Sequence, residues 1–187
     1  MTSPNQTTKV VTGKVRLSYV HLFEPYAVNP DDEAKYSVTL LIPKSDKATM
    51  RALRAAEKAA AEAGKAKFDG RVPANLKSVI HDGDEEADLE KNPEYEGHWY
   101  MSVNSKTRPG IVDRDVQPIL DSTEIYSGAY ARVSINAFAY NTRGNKGVSF
   151  GLNHVQKLAD GDFLGGRSRA EDDFDAVDED ESDDGLI

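Results

Sequence analysis

AYARVSINAFAY (residues 129–140), NTRGNK (141–146) and GVSFGLNHVQK (147–157) together predict a β-hairpin. Apolar residues occupy every second position of the first segment, which is the period of a half-buried strand. The middle segment is rich in Asn and Gly, which favour a tight connection between antiparallel strands. The sequence therefore predicts a long antiparallel strand pair near the C-terminal end of its folded part.

The two faces of the predicted 129–140 strand differ in chemistry. The odd positions form an apolar, core-like face: Ala131, Val133, Ile135, Ala137 and Ala139. The even positions carry aromatic, cationic and hydrogen-bonding groups: Tyr130, Arg132, Ser134, Asn136, Phe138 and Tyr140. Such a face is typical of a platform on which unpaired nucleobases stack while arginine contacts the phosphates. One alternative stays open, in which a second layer covers this face and its aromatic side chains fill a small core.

Further elements are predicted before the hairpin. Alternation over residues 9–23 predicts one long strand with Val11, Val15, Leu17, Tyr19 and Phe23 on its core face and Thr12, Lys14, Arg16 and Ser18 on its polar face. Residues 35–42 predict a second strand, and a helix is expected from Ser45 or Asp46 to Gly64. Residues 99–104 predict a short strand with Trp99 in the core and Tyr100 outside, and the acidic residues 82–96 predict an exposed loop.

These elements predict a mainly β protein, an OB-like antiparallel barrel with one main α-helix and a disordered acidic C-terminal tail. We divide the chain into a flexible N-terminus at residues 1–8, an OB-like nucleic-acid-binding domain at 9–164 and the tail at 165–187. Other small β-barrels fit the pattern nearly as well. The folded part, at roughly 150 residues, is the size of one domain.

The acidic residues are concentrated at one end of the chain. The formal net charge is −9, but residues 160–187 hold twelve acidic and two basic residues and so carry −10, which leaves +1 on the rest. A near-neutral body can present a cationic face, because binding depends on the local field. A run of like charges with few aromatic residues cannot offset its ordering entropy, so the tail is predicted to be disordered.

The acidic tail ends in an apolar tip. We predict that a partner protein binds its last residues: Asp183, Asp184, Leu186 and Ile187. A flexible polyanion can also compete intramolecularly for a site that binds nucleic acid. The simpler alternative is a tail that only keeps the protein in solution.

The candidate DNA contacts are of two kinds. The residues expected to stack on bases are Tyr100, Tyr130, Phe138 and Tyr140. The residues expected to meet phosphates are Lys14, Arg16, Lys106, Arg108, Arg132, Arg143 and Lys146. Together they supply enough cations for a phosphate track whose affinity falls with added salt.

The sequence offers little support for catalysis. It has no cysteine, which excludes thiolate zinc sites, iron–sulfur clusters and a cysteine nucleophile and fits a reducing compartment. Neither a zinc-protease motif nor a serine elbow is present, and we expect no cofactor or metal. Glu94, Glu96 and Lys106 could form a metal-dependent nuclease site, and a virion or scaffold protein with a solubilising tail is the other alternative.

Several segments resemble one known family. They are GKVRLSY at 13–19, YSV at 36–38, IYSGAY at 125–130, SINAF at 134–138, NKGVSFGLN at 145–153 and VQK at 155–157. They are similar to a bacteriophage family of single-stranded-DNA-binding proteins long catalogued as a domain of unknown function. The resemblance covers about residues 9–166.

The resemblance implies an OB-type fold and sequence-tolerant binding of single-stranded DNA in phage DNA replication or recombination. It also implies an acidic tail that recruits replication proteins, and a place in the cytoplasm of the bacterial host. The sequence alone leaves DNA or RNA open as the bound strand. One feature departs from a simple OB order, because the predicted helix follows the second strand rather than the third. Either the first strand is bent into two or the barrel is elaborated.

Overall fold

The computed structural model describes residues 7–164 and 174–177. Within them the chain is mostly β-strand with one long helix, as predicted. The strands are β1 Lys9–Val11, β2 Val15–Tyr26, β3 Lys35–Pro43, β4 Lys77–Ser78, β5 His81–Asp82, β6 His98–Ser105, β7 Gly110–Val112, β8 Tyr130–Thr142 and β9 Asn145–Ala159. The helices are α1 Lys47–Ala63 and the single turn α2 Gly83–Glu86, with short 3-10 turns at Lys65–Phe68, Pro93–Tyr95 and Ser122–Glu124.

Five strands pair in a closed ring. β2 pairs with β3, β3 with β6, β6 with β9, β9 with β8, and β8 returns to β2. The β6–β9 contact is parallel and rests on the pair Asn104↔Gly151, whereas the other ring pairings are antiparallel. This connectivity, with short seams at β6–β9 and β2–β8, is OB-like and confirms the predicted fold class.

The core lies inside this ring. It is filled by the odd side chains of β8 and by apolar residues from the other ring strands, among them Val15, Leu17, Leu40, Met101 and Phe150. Burial alternates along β8, with each odd residue buried from Ala131 to Ala139. The predicted parity of the strand at 129–140 is therefore confirmed.

The prediction of one strand at residues 9–23 was wrong. The chain breaks at Thr12–Lys14, because Thr12 turns inward and its Oγ1 accepts a 3.0 Å hydrogen bond from the backbone N–H of Val133. β1 then pairs only with β8, while β2 joins the ring. Val11 and Tyr19, assigned to the core by alternation, are instead 50% and 56% exposed.

The helix agrees with its sequence signals. The Asp46 side chain caps α1 by accepting a 3.1 Å hydrogen bond from the backbone N–H of Thr49, and Gly64 ends the helix. Leu53 and Ala56 are fully buried against the ring. α1 lies between the second and third strands of the ring, so the departure from a simple OB order is real, and the first strand is broken as well.

The hairpin is longer and its turn tighter than predicted. β8 and β9 pair continuously as far as Thr142↔Asn145, which leaves only Arg143 and Gly144 in the turn. Both have positive φ, +53° and +87°, as a two-residue type I′ turn requires.

The acidic segment 82–96 is more structured than the exposed loop we predicted. It contains the end of β5, α2 and a 3-10 turn, and Tyr95 is buried. Lys44 holds the segment to the body, because its Nζ lies 2.6 Å from Oδ1 of Asp82 and 2.7 Å from Oδ2 of Asp84.

Candidate nucleic-acid interface

The even side chains of β8 lie on the outer surface of the ring. Phe138 is 45% exposed and Arg132 is exposed, whereas Tyr130 and Tyr140 are half-buried. The Phe138 ring lies against Gly151 on β9, with its Cε1 3.8 Å from the point where a Cβ on Gly151 would lie. This face thus combines an aromatic ring available for stacking with an exposed cation.

Lys14, Arg16 and Tyr130 are brought together at the start of β8. The Lys14 Nζ lies 4.9 Å and the Arg16 Cζ 5.6 Å from the centroid of the Tyr130 ring. Arg16 also donates hydrogen bonds to the backbone oxygens of Gly128 at 3.3 Å and Asp162 at 2.8 Å. Lys14 is therefore the more available cation of the two, and Arg16 fixes the chain that leads into the acidic tail.

Residues 160–164, which we call the strap, lie against the body beside this cluster. The Tyr126 hydroxyl donates to Oδ1 of Asp160 at 3.0 Å, and the backbone N–H of Leu164 donates to the oxygen of Ser127 at 2.8 Å. Lys157 forms a 2.7 Å salt bridge with Asp160. The strap, which directly precedes the acidic tail in sequence, therefore lies next to Arg16 and the Tyr130 ring.

The hairpin end of β8 holds a second group of predicted contacts. Arg143 is exposed in the turn and Lys146 is half-buried at the start of β9. The Tyr140 ring lies over Gly147, where a Cβ would lie only 2.6 Å from its hydroxyl oxygen. Ten residues of extended strand place Tyr140 about 33 Å from Tyr130, so the two ends of β8 are separate sites.

The remaining predicted contacts lie on β6 and the loop after it. Tyr100 is half-buried, and its ring centroid is 4.9 Å from that of Tyr95 and 5.1 Å from that of His81. Lys106 is exposed and lies 3.4 Å from Glu33, and the exposed Arg108 lies 5.3 Å from the Phe23 ring centroid. Tyr100 is therefore two strands away in the ring from Tyr130 and Phe138, because β9 lies between β6 and β8.

The structure reveals an aromatic surface that the sequence reasoning missed. We call it the aromatic groove, a depression of about 370 Å³ on the outer face of β2, β3 and β6. Its rings are Tyr19, His21, Tyr26, Tyr95 and Tyr100, above a floor of Ser37, Thr39 and Ser102.

Several contacts order this groove. The His21 and Tyr26 rings stack with centroids 4.3 Å apart and planes 8° from parallel. Burial lowers the pKa of His21, which favours the neutral imidazole. Burial raises the pKa of Tyr95 to about 12 and also raises the pKa of Tyr100, so both phenols stay protonated at neutral pH. The rings of the groove therefore carry little charge and suit bases better than phosphates.

A break in alternation was the available signal for this surface. In the run Tyr19-Val20-His21-Leu22-Phe23, apolar residues occupy both parities, which a regular half-buried strand does not show. β2 advances three residues from Ser18 to His21, while its partner β3 advances only two, from Thr39 to Ser37. The extra residue in β2 is a β-bulge.

The residues proposed for a nuclease site are not assembled. Glu94 and Glu96 precede β6 and Lys106 follows it, so an eight-residue strand about 26 Å long lies between them. In the part of the chain that the structure describes, no cluster of His, Asp and Glu side chains is arranged to hold a metal ion. Nor does any helix within those residues have the length and apolar character to cross a membrane. The predicted partner contacts Asp183, Asp184, Leu186 and Ile187 lie outside the described residues.

An OB-like ring with aromatic and cationic side chains on its outer face defines the class of OB-fold nucleic-acid-binding proteins. A family model described as the ssDNA-binding protein of Enterobacter phage Enc34 matches residues 8–186. The chain belongs to this family, which confirms the resemblance noted from its sequence. The family is one of binding proteins rather than enzymes, which agrees with the expectation of a non-enzymatic protein.

Individual relatives support the same assignment. Protein p50 of Acyrthosiphon pisum secondary endosymbiont phage 1 is 30% identical over 173 residues, which cover 89% of this chain and 92% of p50. The single-stranded DNA-binding protein of bacteriophage Enc34, solved in complex with ssDNA, has a TM-score of 0.74 and 25% identity, covering 88% of this chain and 97% of that one. The bacteriophage T7 single-stranded DNA binding protein gp2.5 shares the fold, with a TM-score of 0.61, 15% identity and coverage of 92% and 96%.

Proposed function

We propose that this protein binds single-stranded DNA without sequence preference during phage DNA replication or recombination. The observation that carries the proposal is the outer face of β8, which presents both the 45% exposed Phe138 ring and the exposed Arg132 further along the strand, in a chain whose family is named for binding ssDNA. Aromatic stacking tolerates any base, because every base has a π-face. Duplex bases are already stacked on one another, so the same face favours single strands.

The phosphates would be met by cations on several elements of the outer surface. Lys14, Arg132 and Arg143 are exposed, and Lys146 is half-buried. Lys106 and Arg108 are exposed beyond β6 and would extend the track. Arg16 would contribute through its place beside Tyr130, although its hydrogen bonds to Gly128 and Asp162 also give it a structural role.

The acidic tail would regulate access to this surface. The strap contacts Arg16, which shares the Tyr130 ring with Lys14, so the segment that directly precedes the tail in sequence lies next to cations that DNA would use. A tethered competitor acts at a high effective concentration. Bound DNA would displace the tail, which would then present its acidic and apolar tip to a replication or recombination protein in the cytoplasm of the host cell.

The proposal is tested by a mobility-shift gel with a labelled single strand, run with and without magnesium. A shifted, intact strand under both conditions is expected of a binding protein. Magnesium-dependent shortening of the strand would favour the nuclease alternative, and an unshifted strand would favour the scaffold alternative.

A further inference from the structure

The aromatic groove contains a residue that the fold has no evident reason to place there. Tyr19 has a φ of +47°, in the left-handed region that non-glycine residues seldom adopt, and its side chain is 56% exposed. Neither burial of the ring nor backbone preference favours this arrangement. Strained residues persist where the surrounding structure imposes them, and they are concentrated at ligand sites.

The β2 bulge explains how Tyr19 reaches the surface. Alternation from Val15 and Leu17 would direct Tyr19 into the core, but the extra residue between Ser18 and His21 re-aims it outward. After the bulge the core position passes to Leu22, which is buried, and His21 stacks on Tyr26. The bulge thus places three rings on one outer surface.

The floor of the groove is polar and uncharged. The hydroxyls of Thr39 and Ser102 lie 3.0 Å apart in a hydrogen bond, and the adjacent Tyr100 ring packs on the buried Tyr95. Flat rings above hydroxyl groups suit nucleobases, which offer both a π-face and hydrogen-bonding edges. A phosphate would find no cation among the residues that line the groove.

The groove is continuous with the outer face of β8. The pairs His21↔Ser37, Ser37↔Asn104 and Asn104↔Gly151 run from β2 across β3 and β6 to β9, where the Phe138 ring lies against Gly151. Three steps between neighbouring strands span about 14 Å. The residues between His21 and the Phe138 ring along this row are Ser37, Asn104 and Gly151, which have short side chains or none. One extended DNA strand can therefore occupy both surfaces.

We propose that the aromatic groove is a base-binding subsite in which Tyr19 and the His21–Tyr26 pair stack on unpaired nucleobases of the same single strand that contacts Phe138. This inference rests on the proposed function and adds a second subsite to it. Affinity in the groove comes from stacking, whereas the salt dependence comes from the cations outside it.

Tyr19→Gly tests the subsite, because glycine accepts positive φ while it removes the ring. The melting temperature of this variant should stay the same or rise. Its Kd for oligo-dT should increase roughly 5- to 100-fold, the loss of one stacked base, with an unchanged slope of log Kd against log salt. Tyr19→Phe keeps the ring and should bind like the wild-type protein.

Val116→Gly is the matched control. Val116 also has a positive φ, +61°, and is 65% exposed, but it lies in the loop after β7 and does not line the groove. The melting temperature of Val116→Gly should also stay the same or rise, and its Kd for oligo-dT should not change. The subsite is overturned if Tyr19→Gly binds oligo-dT as tightly as the wild-type protein, or if it loses thermal stability together with binding. Absence of binding by the wild-type protein would instead overturn the proposed function itself.

Discussion

Phe138 and Phe150 show how position decides the role of identical side chains. They lie on neighbouring strands, but Phe138 is 45% exposed on the outer face and Phe150 is 1% exposed in the core. A half-exposed ring contributes less to folding than a buried one, because less of its apolar surface leaves water. Phe138 is thus available for a ligand, while Phe150 holds the ring of strands together.

Phe138→Ala is expected to weaken binding of single-stranded DNA by about 1–3 kcal/mol, the contribution of one stacked base. The free energy of unfolding should change by about 0.5 kcal/mol or less, as for other surface substitutions. Fluorescence anisotropy and thermal melting measure the two quantities. Phe150→Ala is the contrast, with an expected destabilisation of about 3–5 kcal/mol. Unchanged DNA affinity in Phe138→Ala would remove this residue from the interface.

Local signals explain why some elements could be predicted from the sequence. Residues close together in sequence determine the helix cap at Asp46, the helix end at Gly64, the alternation of β8 and the turn at Gly144. The break at Thr12 and the bulge at Tyr19 could not be predicted in the same way. They depend on pairing with distant strands, since Thr12 bonds to Val133 and Ser18 pairs with Thr39.

The candidate site was predictable to a similar extent. The outward face of β8 followed from parity within one strand, which needs no tertiary information. The placement of Tyr100 outside the core was right, but its neighbour Tyr95 comes from the acidic segment that we expected to be an exposed loop, and its neighbour His81 directly precedes that segment. Tyr19 and Tyr26 were missed because their exposure depends on irregular pairing between β2 and β3.

Lys44 supplies the ion pairs that attach the acidic segment 82–96 to the body. Hydrogen bonds from Lys44 lower the pKa of Asp82 and of Asp84, and the same contacts raise the pKa of Lys44. Because the pKa of both carboxyl groups is lowered in the folded state, Asp82 and Asp84 contribute their full stabilisation at pH values above the ordinary pKa of 3.8. That contribution is lost as the pH falls through their folded-state pKa. The stabilisation is also lost at high pH, because the Lys44 ammonium loses its charge as the pH rises through its folded-state pKa.

Lys44→Met should therefore lower the melting temperature at neutral pH, because it keeps the aliphatic stem and removes the charge. The difference from the wild-type protein should shrink as the pH falls below about 3.8, where the carboxylates become protonated. Thermal melts across a pH series measure it. A difference that stays constant down to low pH would show that the cation–π contact of the Lys44 Nζ with the Trp99 ring, 5.0 Å from its centroid, carries the effect rather than the ion pairs.

At the scale of the whole molecule, charge is divided between the body and the tail. Residues 171–187 hold ten acidic and no basic residues, so their removal changes the formal net charge from −9 to +1. The protein without them should bind single-stranded DNA about tenfold more tightly at low salt, because the competing polyanion is gone. The gain should diminish at high salt, where screening weakens the tail's attraction to the body. Equal affinity of the two proteins at low salt would contradict a regulatory tail.

The most direct test of single-strand binding is an equilibrium titration of the full-length protein with labelled oligo-dT, the matching duplex and a matching RNA strand at two salt concentrations without divalent metal. We predict tight binding to oligo-dT over the duplex, weakened by salt with a log–log slope of about −0.7 for each phosphate contacted. The RNA strand shows whether the stacking surface also accepts ribose. No binding to oligo-dT, or equal binding to oligo-dT and duplex, would contradict the account.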